Sequence, residues 1–201
     1  VPVPAAGDDA GFPCFVKPAG EDGSAGIDDR SVCDDAAARD AAVARLLALG
    51  LGPAHVEAWL PGRELNVALW ADREATYDAV GEIRFGEGTR VLTWASKWDP
   101  ASPDYGRTPS FYPADVSPEL RTAAVAAARD AARAVGARGY LRVDLRCDAD
   151  GRPHVIDVNP NPDLTPGAGL SRAVASAGWS WGRFVRAQVD VALHPDAHPH
   201  W

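Results

Sequence analysis

The sequence predicts an α+β fold, and three observations lead there. Short apolar strands come as hairpins closed by turn residues, as in "HVEAWLPGRELNVALW" and "YLRVDLRCDADGRPHVIDVN". Two long stretches, 34–50 and 117–136, carry helix start and stop signals. The strands do not alternate one for one with helices, which argues against a doubly wound βαβ sheet.

Taken in order, "FPCFVKP" reads as a short strand ending at Pro18, and "AGEDGSAG" as a glycine-rich loop. "DDAAARDAAVARLLALG" reads as a helix: Asp34 or Asp35 caps it, Val43, Leu46 and Leu47 share a face, and Gly50 stops it. "HVEAWL" is a strand closed by Pro61-Gly62, and "ELNVALW", "AVGEIRF" and "RVLTWAS" read as further strands. "KWDPASPDYGRTPSFYPAD" holds too many prolines for regular structure and is long enough to suggest a functional loop. "SPELRTAAVAAARDAARAVG" is the clearest helix, with Ser117 as cap, Pro118 in the first turn and Gly136 at the end. "YLRVDLRC" and "HVIDVN" are strands joined by "DADGRP", and "WSWGRFVRAQVDVAL" is the last helix. The expected division is a small lobe over residues 1–60 and a larger one over residues 61–201.

Composition narrows the function classes. The net charge of -8 argues against a reader of the nucleic-acid backbone, which needs a basic excess. No apolar run approaches the ~20 residues of a membrane span, and "VPVPAAGDD" lacks the basic and apolar regions of a signal peptide. Cys14, Cys33 and Cys147 are odd in number and scattered, so reduced thiols and a cytoplasmic setting are expected. Of the 20 Lys and Arg residues, only Lys17 and Lys97 are lysines. In a chain that otherwise uses Arg, these two are candidates for places that need a compact ammonium.

The hairpin at "VIDVNPNPDL" carries the clearest chemistry. Strand side chains alternate, so Arg142 and Asp144 share one face, and Asp157 and Asn159 share one face of the partner strand. A tight turn at Asp150-Gly151 sets Asp144 opposite Asp157 and Arg142 opposite Asn159. Opposed side chains lie about 5 Å apart, and like charges there repel unless something positive lies between them. A hard divalent cation resolves that: Mg²⁺ takes oxygen ligands and typically uses one or two carboxylates plus phosphates. Arg142 beside them is a fixed positive charge for a phosphate or a developing oxyanion. A solvated polar face paired by Arg accounts for the charges equally well. It does not account for two acids and an amide converging at one end, next to Pro160 and Pro162. The loop after Lys17 is rich in glycines, whose backbone N–H groups can cradle phosphate oxygens, although its spacing is that of neither common phosphate-loop motif.

These pieces, in this order, resemble the ATP-grasp superfamily, and within it the D-alanine–D-alanine ligases. "FVKPAGEDGSAGI" is similar to the strand, lysine and phosphate-covering loop; "VEAWLPGREL" to the segment that holds base and ribose; "WASKW" to the second phosphate lysine and mobile catalytic loop; "YLRVDL" with "VIDVNPNP" to the arginine and metal-ligand hairpin. The resemblance implies an ATP-grasp fold, two α+β lobes with antiparallel sheets gripping ATP. It implies that Lys17 and Lys97 contact ATP phosphates and that Gly23 and Ser24 lie in the covering loop. Glu57 would face the adenine amino group, with the backbone of Ala58 and Leu60 beside it, and Glu64 would take the ribose hydroxyls. Asp144, Asp157 and Asn159 would hold two Mg²⁺ ions, with Mn²⁺ an acceptable substitute. Arg142, Lys97 and Ser24 would form the catalytic set. The implied reaction makes an amide between an amino acid or peptide carboxylate and an amine through an acyl phosphate.

The chain departs from that pattern at named places. The bridging metal ligand, commonly Glu, is Asp157; a substrate-anchoring Ser is Gly23; the Tyr after the second lysine is Trp98; and the Gly after "NPNP" is Asp163. The Ser-Leu pair that grips the second amino acid has no clear match in "GAGLSRAV". Most of these changes fall on substrate contacts, so the substrates are expected to differ from the standard D-alanine pair. A non-catalytic nucleotide-binding module, acting as sensor or scaffold, is the competing expectation. The resemblance also implies an N-terminal domain or partner subunit that completes the first substrate's site, and it admits a homodimer.

Overall fold

Alternation of side chains along the first strand organises the first of two units. In the computed structural model, which describes residues 10–99, 101–103, 105–194 and 201, β1 (Cys14–Pro18) pairs antiparallel with β2 (Val32–Cys33) and β3 (Ala54–Ala58), in the order β2-β1-β3. Cys14, Val16, Cys33 and Val56 are buried against Ala42 and Leu46 of α1 (Ala36–Ala48). Period-two alternation therefore sends Phe15, Lys17, His55 and Glu57 to the opposite face. Asp35 is the residue that caps α1, its carboxylate accepting from the Ala38 N–H at 2.8 Å. At the other end Gly50 sits at φ +71, and the Gly50 and Leu51 N–H groups donate to Leu47 and Leu46 carbonyls. That is the left-handed helix stop glycine permits. Asp35→Ala is expected to remove about 1 kcal/mol of stability, read as a lower urea midpoint with unchanged m-value.

The second unit is a five-stranded antiparallel sheet in the order β6-β5-β4-β7-β8. Its strands are β4 (Glu64–Ala71), β5 (Thr76–Ile83), β6 (Ser110–Phe111), β7 (Tyr140–Cys147) and β8 (Pro153–Asn159). β4 lies at the centre and is buried at all of its positions. One face, carrying Leu65, Val67, Leu69, Leu141, Val143 and Leu145, packs under α3 (Pro118–Ala134). Ala124, Ala128 and Ala132 form the buried stripe of α3, small enough for the helix to lie close to the sheet. The opposite face is divided. Ala68, Trp70 and Ala79 are covered by α4 (Gly169–Ser176) and α5 (Trp181–Leu193). Further along the same strands that face carries Glu64, Asn66, Arg142 and Asp144, and these build the site described below.

The structure differs from the sequence reading at two places. "RVLTWAS" is not a strand. Residues Trp94–Trp98 form a short helix, α2, because the Thr93 hydroxyl accepts from the Ser96 N–H at 3.0 Å and so caps a turn. The helix α4 went unread. Between β5 and β6 the chain leaves the sheet. Among the described residues, those up to Trp59 group with those between Phe85 and Pro109, and Leu60–Arg84 groups with those from Ser110 onward. The cause is the pairing of β5 with β6 itself, Ile83 opposite Ser110, which turns the residues between them into an excursion from the sheet. Among the described residues no helix is long and apolar enough to cross a membrane.

Candidate functional site

Three parallel rows of side chains cross the second unit's sheet on its divided face. The first sets Ile83, Glu64 and Arg146 opposite one another, the second Gly81, Asn66, Asp144 and Asp157, and the third Ala79, Ala68, Arg142 and Asn159. The predicted pairs Asp144–Asp157 and Arg142–Asn159 are therefore opposed as expected, but not by the expected turn. Asp150-Gly151 does not make a two-residue hairpin. The loop runs from Asp148 to Arg152, closed by the Asp148 N–H donating to the Arg152 carbonyl at 2.9 Å. The Asp148 carboxylate accepts from the Asp150 and Arg152 N–H groups and meets the His154 ring at 2.8 Å. Leu145 then pairs with Val155 while Asp144 pairs with Asp157, so β8 carries a bulge at Ile156. The bulge restores the register that the longer loop shifts, and bulges commonly re-aim side chains beside sites.

Repulsion between the acids is answered inside the protein. Arg142 grips Asp144 with its fork, Nε to Oδ1 at 2.7 Å and Nη2 to Oδ2 at 2.8 Å. Asn66, buried at 4 % exposure, donates to Asp144 Oδ1 at 2.7 Å. Burial alone would lower the Arg142 pKa; Asp144, Tyr112 and Asp157 outweigh it and hold the guanidinium above its ordinary value. Asn159 Oδ1 accepts from the Asn161 N–H at 2.9 Å, which fixes the amide at the proline-rich end of the strand. Asp163 holds the Thr165 N–H at 2.8 Å, and its pKa is lowered by the bonds with Thr165, with Arg142 contributing.

Glu64 lies on the same face, one row away, and is ion-paired to Arg146 at 3.2 Å. Their side chains are 7 % and 9 % exposed. Burial lowers the Arg146 pKa, and Glu64 partly offsets it.

The first unit holds the other predicted residues except Leu60. Lys17 Nζ lies 3.0 Å from Glu57 Oε2, and His55 Nε2 lies 3.5 Å from the same oxygen. The candidate phosphate lysine and the candidate adenine acid are thus in direct contact. Ala58 ends β3, and Leu60 lies just after it, where the chain passes into the second unit. Gly23 and Ser24 form consecutive left-handed residues, φ +61 and +66, in the turn after β1. Ser24 is the one non-glycine with positive φ among the described residues, a conformation strained by about 1–3 kcal/mol. Lys97 sits in the last turn of α2. The side chain of Trp98 lies outside the described residues.

Sequence reasoning missed Asn66, Arg146 and Tyr112. A signal for Asn66 existed: in "ELNVALW" Glu64 and Asn66 are two polar residues on one face of an otherwise apolar strand.

Mg²⁺ fits this donor set chemically. Two carboxylates and an amide are hard oxygen donors. A carboxylate offers about four lone-pair positions, and the Asp144 bonds with Arg142 and Asn66 number three.

Comparison with known proteins places the chain in a family. The family described as D-ala D-ala ligase C-terminus matches residues 4–190. A D-alanine–D-alanine ligase of Anaeromyxobacter sp. is 33% identical over 183 residues, covering 90% of this chain and 54% of the relative. An uncharacterised protein of Sinorhizobium fredii is 32% identical over 186 residues, covering 92% of this chain and 53% of that one. The chain thus spans about half the length of the curated relatives it matches. Among solved structures, a D-alanine–D-alanine ligase of Bacillus anthracis complexed with ATP superposes with a TM-score of 0.71 at 19% identity, over 94% of this chain and 55% of that one. A D-Ala:D-Ser ligase of Enterococcus faecalis gives 0.69 at 22%, over 90% and 50%. These structures carry the fold, which is that of the ATP-grasp lobes with antiparallel sheets. With a family match over nearly its whole length, the chain belongs to the D-Ala–D-Ala ligase C-terminal family.

Proposed function

We propose that this chain carries the ATP- and Mg²⁺-handling part of a ligase that joins a carboxylate to an amine, with substrates other than the standard D-alanine pair. The observation that carries the reading is the row Asn66, Asp144, Asp157 with Arg142 and Asn159 beside it. In the reaction, a substrate carboxylate takes the γ-phosphoryl group of ATP and ADP leaves; an amine then attacks the acyl phosphate, forms the amide, and expels inorganic phosphate as the amine gives up a proton. Asp144, Asp157 and Asn159 would hold the metal, which when bound neutralises phosphate charge. Arg142 is fixed by its own carboxylate partner and presents a guanidinium that stays charged, suited to a developing oxyanion. Lys17 and Lys97 would bind phosphate oxygens, Gly23 and Ser24 would cover them, and Glu64 would take the ribose. Glu57 would take the adenine amino group, with the Ala58 and Leu60 backbone beside it. A cytoplasmic setting, a homodimer, and a contribution from an N-terminal domain or partner subunit belong to the same proposal.

A second reading is nucleotide binding without turnover: the Arg142 fork takes up both Asp144 oxygens, and Asp157 stands where the resembled family commonly has Glu. Amino-acid-dependent ADP release in Mg²⁺ separates the two. ATP binding with no stimulation by any amino acid panel decides for the second. Asp144→Asn is expected to weaken Mg²⁺-dependent nucleotide affinity about tenfold or more, in keeping with the typical 1.4 kcal/mol per decade. Unchanged affinity by calorimetry rejects the metal assignment.

A further inference from the structure

Tyr112 follows β6 and lays its ring over Gly81. A Cβ built on Gly81 would meet the ring at 2.3 Å from Cε1 and 2.4 Å from Cζ. Any side chain at position 81 therefore excludes this placement of the ring; glycine is what permits it. Gly81 stands directly opposite Asn66, which donates to Asp144. The ring thus continues the row Asn66, Asp144, Asp157 one strand further, about 5 Å per strand. Its hydroxyl points along the sheet to α4, 3.3 Å from the position a Gly169 Cβ would take. Arg172 of α4 lies over the ring with its guanidinium carbon 5.5 Å from the centroid, and is tied to the Ser110 hydroxyl at 2.8 Å. The ring is only half-buried.

We propose that Tyr112, seated by Gly81, is a specificity-determining residue: its ring walls the face that holds Asn66, Asp144 and Arg142 and limits the side chain of the amino acid accepted there. The inference rests on the ligase reading for the identity of that ligand. The electrostatics agree with the placement. Burial pushes the phenol up to about 12, Arg142 and Arg172 oppose the rise, and Asp144 adds to it. The group therefore stays a neutral hydrogen-bond donor at physiological pH.

The test measures binding rather than turnover. Protein loaded with a non-hydrolysable ATP analogue and Mg²⁺ is titrated calorimetrically with amino acids of both hands, graded from alanine to phenylalanine. The parent is expected to prefer small side chains. Tyr112→Ala is expected to shift the ratio of large to small about tenfold or more towards large, within the range one hydrophobic pocket provides. Gly81→Ala, which displaces the ring without altering it, is expected to shift the same ratio. Tyr112→Phe keeps the ring and is expected to hold the parent's ratio within about twofold. A ratio unchanged in both Tyr112→Ala and Gly81→Ala, or no amino acid bound by any of the proteins, overturns the inference. ADP release is followed in the same samples: if it is absent while the ratio shifts, the ligase reading fails and the wall stands.

Discussion

Arg142→Ala is expected to lower amino-acid-dependent ADP release by about 10²–10³-fold, the usual effect of removing one positioned oxyanion donor. The fork is held by two bonds to Asp144 and leaves little freedom to a replacement. Stability should fall as well. Asp144 would keep Asn66 as its donor but lose its charge partner, at roughly 1–3 kcal/mol for a half-buried carboxylate. Arg142→Lys separates the contributions, because lysine restores the charge without the planar fork. It should recover most of the stability and little of the activity. Steady-state ADP release and urea unfolding check both. Activity within about twofold of the parent in the alanine variant removes Arg142 from the chemistry.

Glu64→Ala is the second large effect and acts first on folding. It removes the carboxylate that lies 3.2 Å from the buried Arg146 guanidinium, and breaking a buried pair of this kind costs roughly 3–5 kcal/mol. The double variant Glu64→Leu with Arg146→Met replaces the pair by apolar groups of similar volume and should be within about 1 kcal/mol of the parent or more stable. The pair of variants also dissects the ribose assignment. If Glu64 takes the ribose hydroxyls, the stable double variant still binds ATP weakly by calorimetry. If it binds ATP as the parent does, Glu64 is an element of the fold alone.

Much of the fold was legible because local signals and global packing agree. Asp35, Ser117, Gly50 and Gly136 sit where their helices begin and end, and β4, β7 and β8 follow their apolar patterns. Where signals competed, the reading went wrong. Val91, Leu92, Thr93 and Trp94 favour a strand by type, yet a hydroxyl cap at Thr93 turns the chain into α2. The helix α4 begins after Ala168, which offers no side-chain cap, so no start signal existed. Leu170, Ala173 and Val174 at helical spacing were its only trace.

The site divides the same way. Period two brought Asp144, Asp157, Arg142 and Asn159 together from the sequence. The Asn66–Asp144 and Glu64–Arg146 contacts join β4 to β7, 78 and 82 residues apart, and no local pattern encodes them. The bulge at Ile156 was hidden because loop length and bulge cancel in the pairing that matters.

The excursion between β5 and β6 leaves the large sheet tolerant of change in the residues it carries. Ile83 and Ser110 face each other across a ladder, so the ends of the intervening stretch are held within the ~5 Å of neighbouring strands. A plain reverse turn would satisfy the sheet equally well. Lys97 and its surroundings are therefore an insertion that the ladder tolerates: lengthening or shortening it adds only a small loop-closure cost and leaves the strand order of the large sheet unchanged.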